Sequence, residues 1–228
     1  MDWRVNSENH VAEAAAGFVL AGGRSSRMGR DKAFVEFEGR LLVERAIAIL
    51  KGAALPVHMA GVRLESASRL EAYAPVVPDE AAGKGPLAGV CAGLRATGAE
   101  YTVFLPVDVP LLPSSLIIYL LWHARVTKVA VTLASFNGDA QTFPAVLARE
   151  TLPVLEQRLR RGELGCLAAF HAAAAEVGRT ISVIPVERLV QSGRVAHPDA
   201  LPAARWFLNV NTEAELRLAL SLRQSRVS

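Results

Sequence analysis

The residues best suited to chemistry begin where a short apolar run, Gly17-Phe18-Val19-Leu20, breaks into Ala21-Gly22-Gly23. Glycines at such a break let backbone N–H groups approach an anion closely. Arg27 and Lys32 follow in the segment Arg24-Ser25-Ser26-Arg27-Met28-Gly29-Arg30-Asp31-Lys32 and add fixed positive charge. Phosphate oxygens that gather charge in a transition state need donors of this kind. Two familiar phosphate loops are absent. GxxxxGK[ST] fails because Gly29 is followed by Arg30 and stands one residue too far from Gly23, and no GxGxxG follows the strand. A plain turn with solvated basic side chains would explain the glycines, but not Arg27 and Lys32 at this spacing.

A second constellation is Phe104-Leu105-Pro106-Val107-Asp108-Val109-Pro110-Leu111, an apolar run ended by Asp108 and a proline. A carboxylate at that edge can hold Mg²⁺, which often takes one or two protein carboxylates and completes its shell with water and phosphate oxygens. An aspartate there could equally cap the next helix; the two readings stand level on the motif alone. A third constellation is Gly83-Lys84-Gly85-Pro86-Leu87-Ala88-Gly89, just after Asp79. A glycine-flanked helix start can meet a ligand backbone-first. Taken alone, a tight turn with close helix packing is the better account.

These residues need a frame. Apolar periodicity predicts strands at Gly17–Leu20, Val57–Ala60, Pro75–Pro78, Tyr101–Val107, Val129–Ser135, Ile181–Val186 and Phe207–Val210. Between them it predicts helices at Leu41–Leu50, Leu64–Ala72, Pro86–Thr97, Pro113–His123, Leu152–Arg160 and Leu164–Ala173. A turn at Asn137-Gly138 would bring Pro144–Leu147 back antiparallel to the strand before it. Thr212 caps a final helix, with Glu215 in the capping-box position, and Gln191–Ala204 reads as irregular. Strands alternating with helices predict a Rossmann-like three-layer α/β/α sandwich, mostly parallel with one antiparallel strand. Ligands of such sheets bind beyond the carboxyl ends of the strands, where Gly22, Asp79 and Asp108 all fall.

The chain has 228 residues, 51% hydrophobic and 21% charged. We expect a loose extension over 1–16, a single domain over 17–222 and a frayed tail over 223–228. A net charge of +3 is too small to argue for nucleic acid or a membrane surface, yet suits an anionic ligand. The two cysteines, Cys91 and Cys166, form no CxxC pair, and the five histidines show no metal spacing. Asp2, Arg4, Glu8 and Glu13 precede any apolar run, so no secretory signal is expected. The run Leu116–Trp122 falls far short of the ~20 residues of a membrane span. These features predict a cytoplasmic protein.

Together the motifs resemble the molybdenum cofactor guanylyltransferase family, whose fold is that of the nucleotide-diphospho-sugar transferases. The family pattern LAGGxSxRMGxxK is matched by Leu20 through Lys32, and GPLAG by Gly85-Pro86-Leu87-Ala88-Gly89. Its aspartate motif is matched by Pro106-Val107-Asp108-Val109-Pro110, and NxNT by Asn209-Val210-Asn211-Thr212. The likeness runs from about Gly17 to Leu220 in the same order.

The resemblance implies transfer of GMP from GTP to the phosphate of molybdopterin. Leu20, Ala21, Gly22 and Gly23 would hold the nucleotide through backbone groups, Lys32 would contact the triphosphate with Arg27 near it, and Asp79 would lie near base or ribose. Asp108 would bind Mg²⁺, and Gly85, Pro86, Leu87, Asn209 and Asn211 would serve the substrate. Arg27, Lys32 and Asp108 would be the catalytic set, and molybdoenzyme maturation proteins would be candidate partners. Gly22 resembles the guanine-using branch, since cytidylyl-transferring relatives tend to carry alanine there.

Three departures stand out. Ala60-Gly61 replaces an asparagine common in relatives, and Val107 replaces a frequent cysteine. Gly162-Glu163 leads to Leu164-Gly165 where relatives carry basic residues. Arg158, Arg160 and Arg161 are the candidates to replace those contacts, against the plainer reading of a solvated helix end. The competing functions are cytidylyl transfer to molybdopterin, nucleotidyl transfer to a sugar phosphate or phospholactate, and an idle nucleotide-binding domain. An oxidoreductase on a similar sheet lacks its glycine pattern here, and fold alone separates none of these.

Overall fold

The computed structural model describes residues 15–22, 31–78 and 84–224. Alternation is the rule that builds its sheet. In β1 (Ala15–Leu20), Ala15 and Val19 enter one apolar core while Ala16, Phe18 and Leu20 enter another. Successive strand side chains point to opposite faces, so a strand buried on both must be apolar throughout. β5 (Tyr101–Pro106) repeats the pattern, with Tyr101, Val103 and Leu105 on the first side and Phe104 on the second.

The other strands are β2 (Glu36–Phe37) and β3 (Arg40–Leu41), a small separate hairpin, then β4 (Val57–Ala60), β6 (Val131–Phe136), β7 (Asp139–Ala148) and β8 (Ile181–Pro185). The main sheet runs β4-β1-β5-β7-β6-β8. Its pairs are parallel except those of β7, which runs antiparallel to both β5 and β6. The expected mostly parallel sheet with one antiparallel strand is therefore present, with that strand inside the sheet.

Helices α1 (Leu42–Lys51) and α4 (Ser114–Thr127) pack into the first core. Two later helices, α7 (Val186–Gln191) and α8 (Glu213–Gln224), contribute Leu189 and Leu216 to it. On the opposite face lie α3 (Pro86–Ala96), α5 (Leu152–Arg160) and α6 (Cys166–Glu176). α2 (Leu64–Leu70) is a short helix following β4.

Several expectations need correction. Ala15 and Ala16, expected in a loose extension, are buried strand residues; the remaining N-terminal residues lie outside those described. The expected strand at Pro75–Pro78 shrinks to one bridge, Met59 with Val76. Proline has no N–H to give a ladder, and Pro75 and Pro78 bound the segment. Phe207–Val210 is no strand; its tie is Val210 N–H to the Asp108 carbonyl, 2.8 Å, a link to a loop rather than to a sheet. α7 has no counterpart in the periodicity, because its six residues are too few to show a helical period. α8 reaches Gln224, so the tail begins later than expected. No helix among the described residues is long and apolar enough to cross a membrane.

Candidate active site

β5 and β7 pair from Tyr101↔Ala148 to Phe104↔Ala145 and then part. β5 continues to Pro106 and delivers Asp108 just beyond its end. On the other side the β6 register jumps from Leu133↔Ala145 to Ala134↔Gln141, which leaves Thr142, Phe143 and Pro144 as a bulge. Bulges bend a strand and re-aim its side chains. The parted strands open a cleft of about 470 Å³ at the C-terminal edge of the sheet. That volume is within the usual range for a small-molecule site.

Leu20, Ala21 and Gly22 from the end of β1 line this cleft, as do Lys32, Asp108, Pro86, Asn209 and Asn211. Residues separated by most of the chain therefore meet in one place. Lys32 Nζ donates to Asp108 Oδ2 at 3.3 Å and to Asn211 Oδ1. The two charged side chains retain 18% and 20% of their exposure, enough to meet a ligand and too little for free solvation. The helix-cap alternative for Asp108 falls away: Pro113 is the N-cap of α4, which has no side-chain cap bond.

Asn211 is itself held from below. Its N–H donates to Glu215 Oε2 at 2.8 Å, and Glu215 N–H donates to Thr212 Oγ1 at 3.2 Å. The expected cap of the last helix is thus formed, and it sets the residue that meets Lys32. The Asn211 N–H is the main reason the Glu215 carboxyl sits below its usual range.

Asp31 lines the cleft as well, a position that spacing did not reveal. Its Oδ1 accepts Ala33 N–H at 3.0 Å and caps the short 3-10 turn Lys32–Phe34, while Oδ2 accepts the Ser66 hydroxyl of α2. One carboxylate thereby pins the residue beside Lys32 to a distant helix. The tendency of aspartate to cap its own neighbours was the available signal. Asp31→Ala removes both bonds and is expected to lower Tm by roughly 2–4 °C, the effect of about 1 kcal/mol in a chain of this size. Thermal melting beside Ser66→Ala checks it, because Ser66→Ala must cost less.

The glycines show why three segments can come so close. A Cβ on Gly22 would stand 1.7 Å from the Gly61 carbonyl oxygen, an impossible contact. A Cβ on Gly89 would stand 2.9 Å from Gly61 Cα, and Gly61 has a φ of +67°. The loop after β1, the end of β4 and the first turn of α3 touch backbone to backbone. Packing alone therefore requires glycine at Gly22, whatever base is bound. Gly93 adds a second close approach, 2.7 Å from Phe104 if it carried a Cβ.

Other expected residues fall differently. Leu87 is fully buried in the core, leaving only its backbone for a ligand. Gly85 has a φ of +78° at the turn into α3. Gly23, Arg27 and Asp79 lie outside the described residues. Arg158, Arg160 and Arg161 do not line the cleft. Arg158 pairs with Glu163 at 2.6 Å and Arg160 with Glu156 at 3.8 Å, since neighbours along the helix end satisfy them first. Both cysteines are buried, and burial pushes Cys166 up to about 11, which makes it inert.

Among the described residues no three His, Cys, Asp or Glu side chains gather as a metal cage. A cleft carboxylate beside an ammonium, outside any three-residue cage among the described residues, suits a cation that arrives with phosphates.

A mostly parallel sheet opened at its C-terminal edge by a departing antiparallel strand, with Lys32 and Asp108 in the gap, makes a site suited to the phosphates of a nucleotide. Solved structures share the fold. One is the molybdopterin-guanine dinucleotide biosynthesis protein A from Archaeoglobus fulgidus, with a TM-score of 0.74 and 21% identity over 92% of this chain and 99% of that one. Another is the 2-C-methyl-D-erythritol 4-phosphate cytidylyltransferase from Thermus thermophilus, at 0.61 and 16%, covering 91% and 98%.

The chain belongs to the MobA-like NTP transferase domain family, whose model matches residues 17–179. It is 38% identical over 156 residues to a probable molybdenum cofactor guanylyltransferase of Opitutus terrae, covering 67% of this chain and 75% of that protein. It is 33% identical over 207 residues to a protein of the same description from Mycobacterium avium, covering 89% and 93%.

Proposed function

We propose that this protein transfers GMP from GTP to the phosphate of molybdopterin, releasing pyrophosphate and the guanine dinucleotide cofactor. The observation that carries the reading is the meeting of Lys32, Asp108 and Asn211 in one cleft beside the Leu20–Gly22 backbone. Relatives that bear the guanylyltransferase name match up to 89% of the chain, which supports the guanine and molybdopterin assignment.

The backbone at Leu20, Ala21 and Gly22, with Gly23, holds the nucleotide, and Asp79 reaches base or ribose. Lys32 holds the triphosphate as a compact point charge and Arg27 adds a second cation. Asp108 would hold Mg²⁺ brought in with the nucleotide's phosphates. When bound, Mg²⁺ offsets negative charge on the phosphate oxygens. An oxygen of the molybdopterin phosphate forms a bond to the α-phosphorus as the bond from that phosphorus to the β-bridging oxygen breaks. The attacking phosphate is already anionic, so the chain need supply no general base. Pro86, Asn209 and Asn211 of the cleft lining, with Gly85 and the Leu87 backbone beside Pro86, would serve the acceptor. Molybdoenzyme maturation proteins are the natural recipients of the product.

A thermal-shift comparison of GTP, CTP, UTP and ATP with Mg²⁺ tests the nucleotide. GTP at ~100 times its dissociation constant should add about 2.7 kcal/mol of stability. Equal or greater stabilisation by CTP would overturn the guanine assignment and leave the family intact.

A further inference from the structure

The cleft is lined by two chemically different sets of residues. Its charged lining residues among those described, Asp31, Lys32 and Asp108, come from the loop after β1 and the end of β5. The bulged start of β7 contributes Gln141, Thr142 and Phe143, all uncharged, and Phe207 is a second aromatic in the same lining. Phe143 packs against the core under α5 and α6, Phe207 against the core under α1 and α4, so each core lends one ring to the cleft. The Phe143 ring is held edge-on by Phe170 of α6, with centroids 6.0 Å apart and an interplanar angle of 88°. A ring fixed in this way is a preformed platform that loses little entropy when a ligand settles on it.

The charged set suits phosphates. The uncharged set, with two aromatics and the amides of Gln141 and Asn209, suits a flat, neutral heterocycle: faces to the rings, polar edges to the amides. We infer that Phe143 selects the acceptor by stacking on its heteroaromatic ring, with Phe207 as the second aromatic contact. This rests on the proposed reaction, in which the acceptor carries a pterin. It also accounts for an acceptor site without the basic residues that Leu164-Gly165 displaces. Acceptor binding through these residues comes from stacking and amide contacts, and the phosphate is served by the charged set.

Steady-state kinetics with GTP and molybdopterin, on the full chain, provide the test. Phe143→Leu keeps apolar volume but removes the ring; KM for molybdopterin should rise about tenfold, in line with the loss of one stacking contact. kcat and the dissociation constant for GTP should stay near wild type. Phe143→Tyr, which keeps the ring, should restore KM; a purely structural role against Phe170 would not produce that split. An unchanged KM in Phe143→Leu overturns the inference. Should Phe143→Leu fail to fold, Phe207→Leu carries the same expectation, and an unchanged KM there overturns the inference equally. Wild-type protein that binds GTP yet gives no turnover with molybdopterin would instead overturn the proposed reaction.

Discussion

Asp108→Asn should fold and melt like the parent protein and lose metal-dependent turnover. The Asp108 carbonyl, not its side chain, takes the Val210 N–H, so the substitution leaves that backbone link alone. The side chain's partner is Lys32 at 3.3 Å, and an asparagine oxygen can still accept from it. Partly exposed pairs of this kind contribute about 1 kcal/mol or less. Turnover is a different matter, because an amide carries no charge with which to hold Mg²⁺. A loss of several kcal/mol in transition-state stabilisation corresponds to at least ~10²-fold in rate. Measuring kcat across a Mg²⁺ titration beside a melting curve checks both halves. Near wild-type activity at low Mg²⁺ would assign the metal to another residue.

Lys32→Ala should reduce the rate by roughly 10²–10³, the usual cost of removing one preorganised electrostatic donor. Two blander possibilities compete with that expectation. Lys32 could be dispensable, or it could serve as a strut, since it ties Asp108 to Asn211 and so joins the 3-10 turn Lys32–Phe34 to the residue that precedes the cap of α8. Turnover and Tm measured together separate these. A slow, stable enzyme supports the phosphate role, and a fast, stable one refutes it. Loss of both points to the strut. Lys32→Arg should recover part of the rate only, because a planar guanidinium shifts the contact by about 1 Å, and misplacement on that scale can cost ~10²-fold.

Much of the frame was legible in the chain. Val57–Ala60 and Leu152–Arg160 coincide with β4 and α5, because their apolar periods are local and uninterrupted. The antiparallel return after Asn137-Gly138 was legible from its turn chemistry, although β7 begins at Asp139, earlier than its apolar part suggested. What stayed hidden depends on contacts between distant segments. Trp206 illustrates this: its Nε1 donates to the Leu201 carbonyl at 2.9 Å and its ring is buried, so the segment after it turns along the cleft instead of joining the sheet. In the site, glycines and charges could be read as types. That Asp31 reaches Ser66, and that the Gly61 carbonyl faces Gly22, are facts of juxtaposition that spacing does not encode.

The backbone contact among Gly22, Gly61 and Gly89 has a historical consequence. A methyl group at Gly22 cannot be accommodated while the Gly61 peptide keeps its left-handed turn, and a methyl at Gly89 meets the same peptide from the other side. A side chain at Gly22 therefore requires the Gly61 peptide or the Gly22 segment itself to shift. The three positions form an epistatic unit.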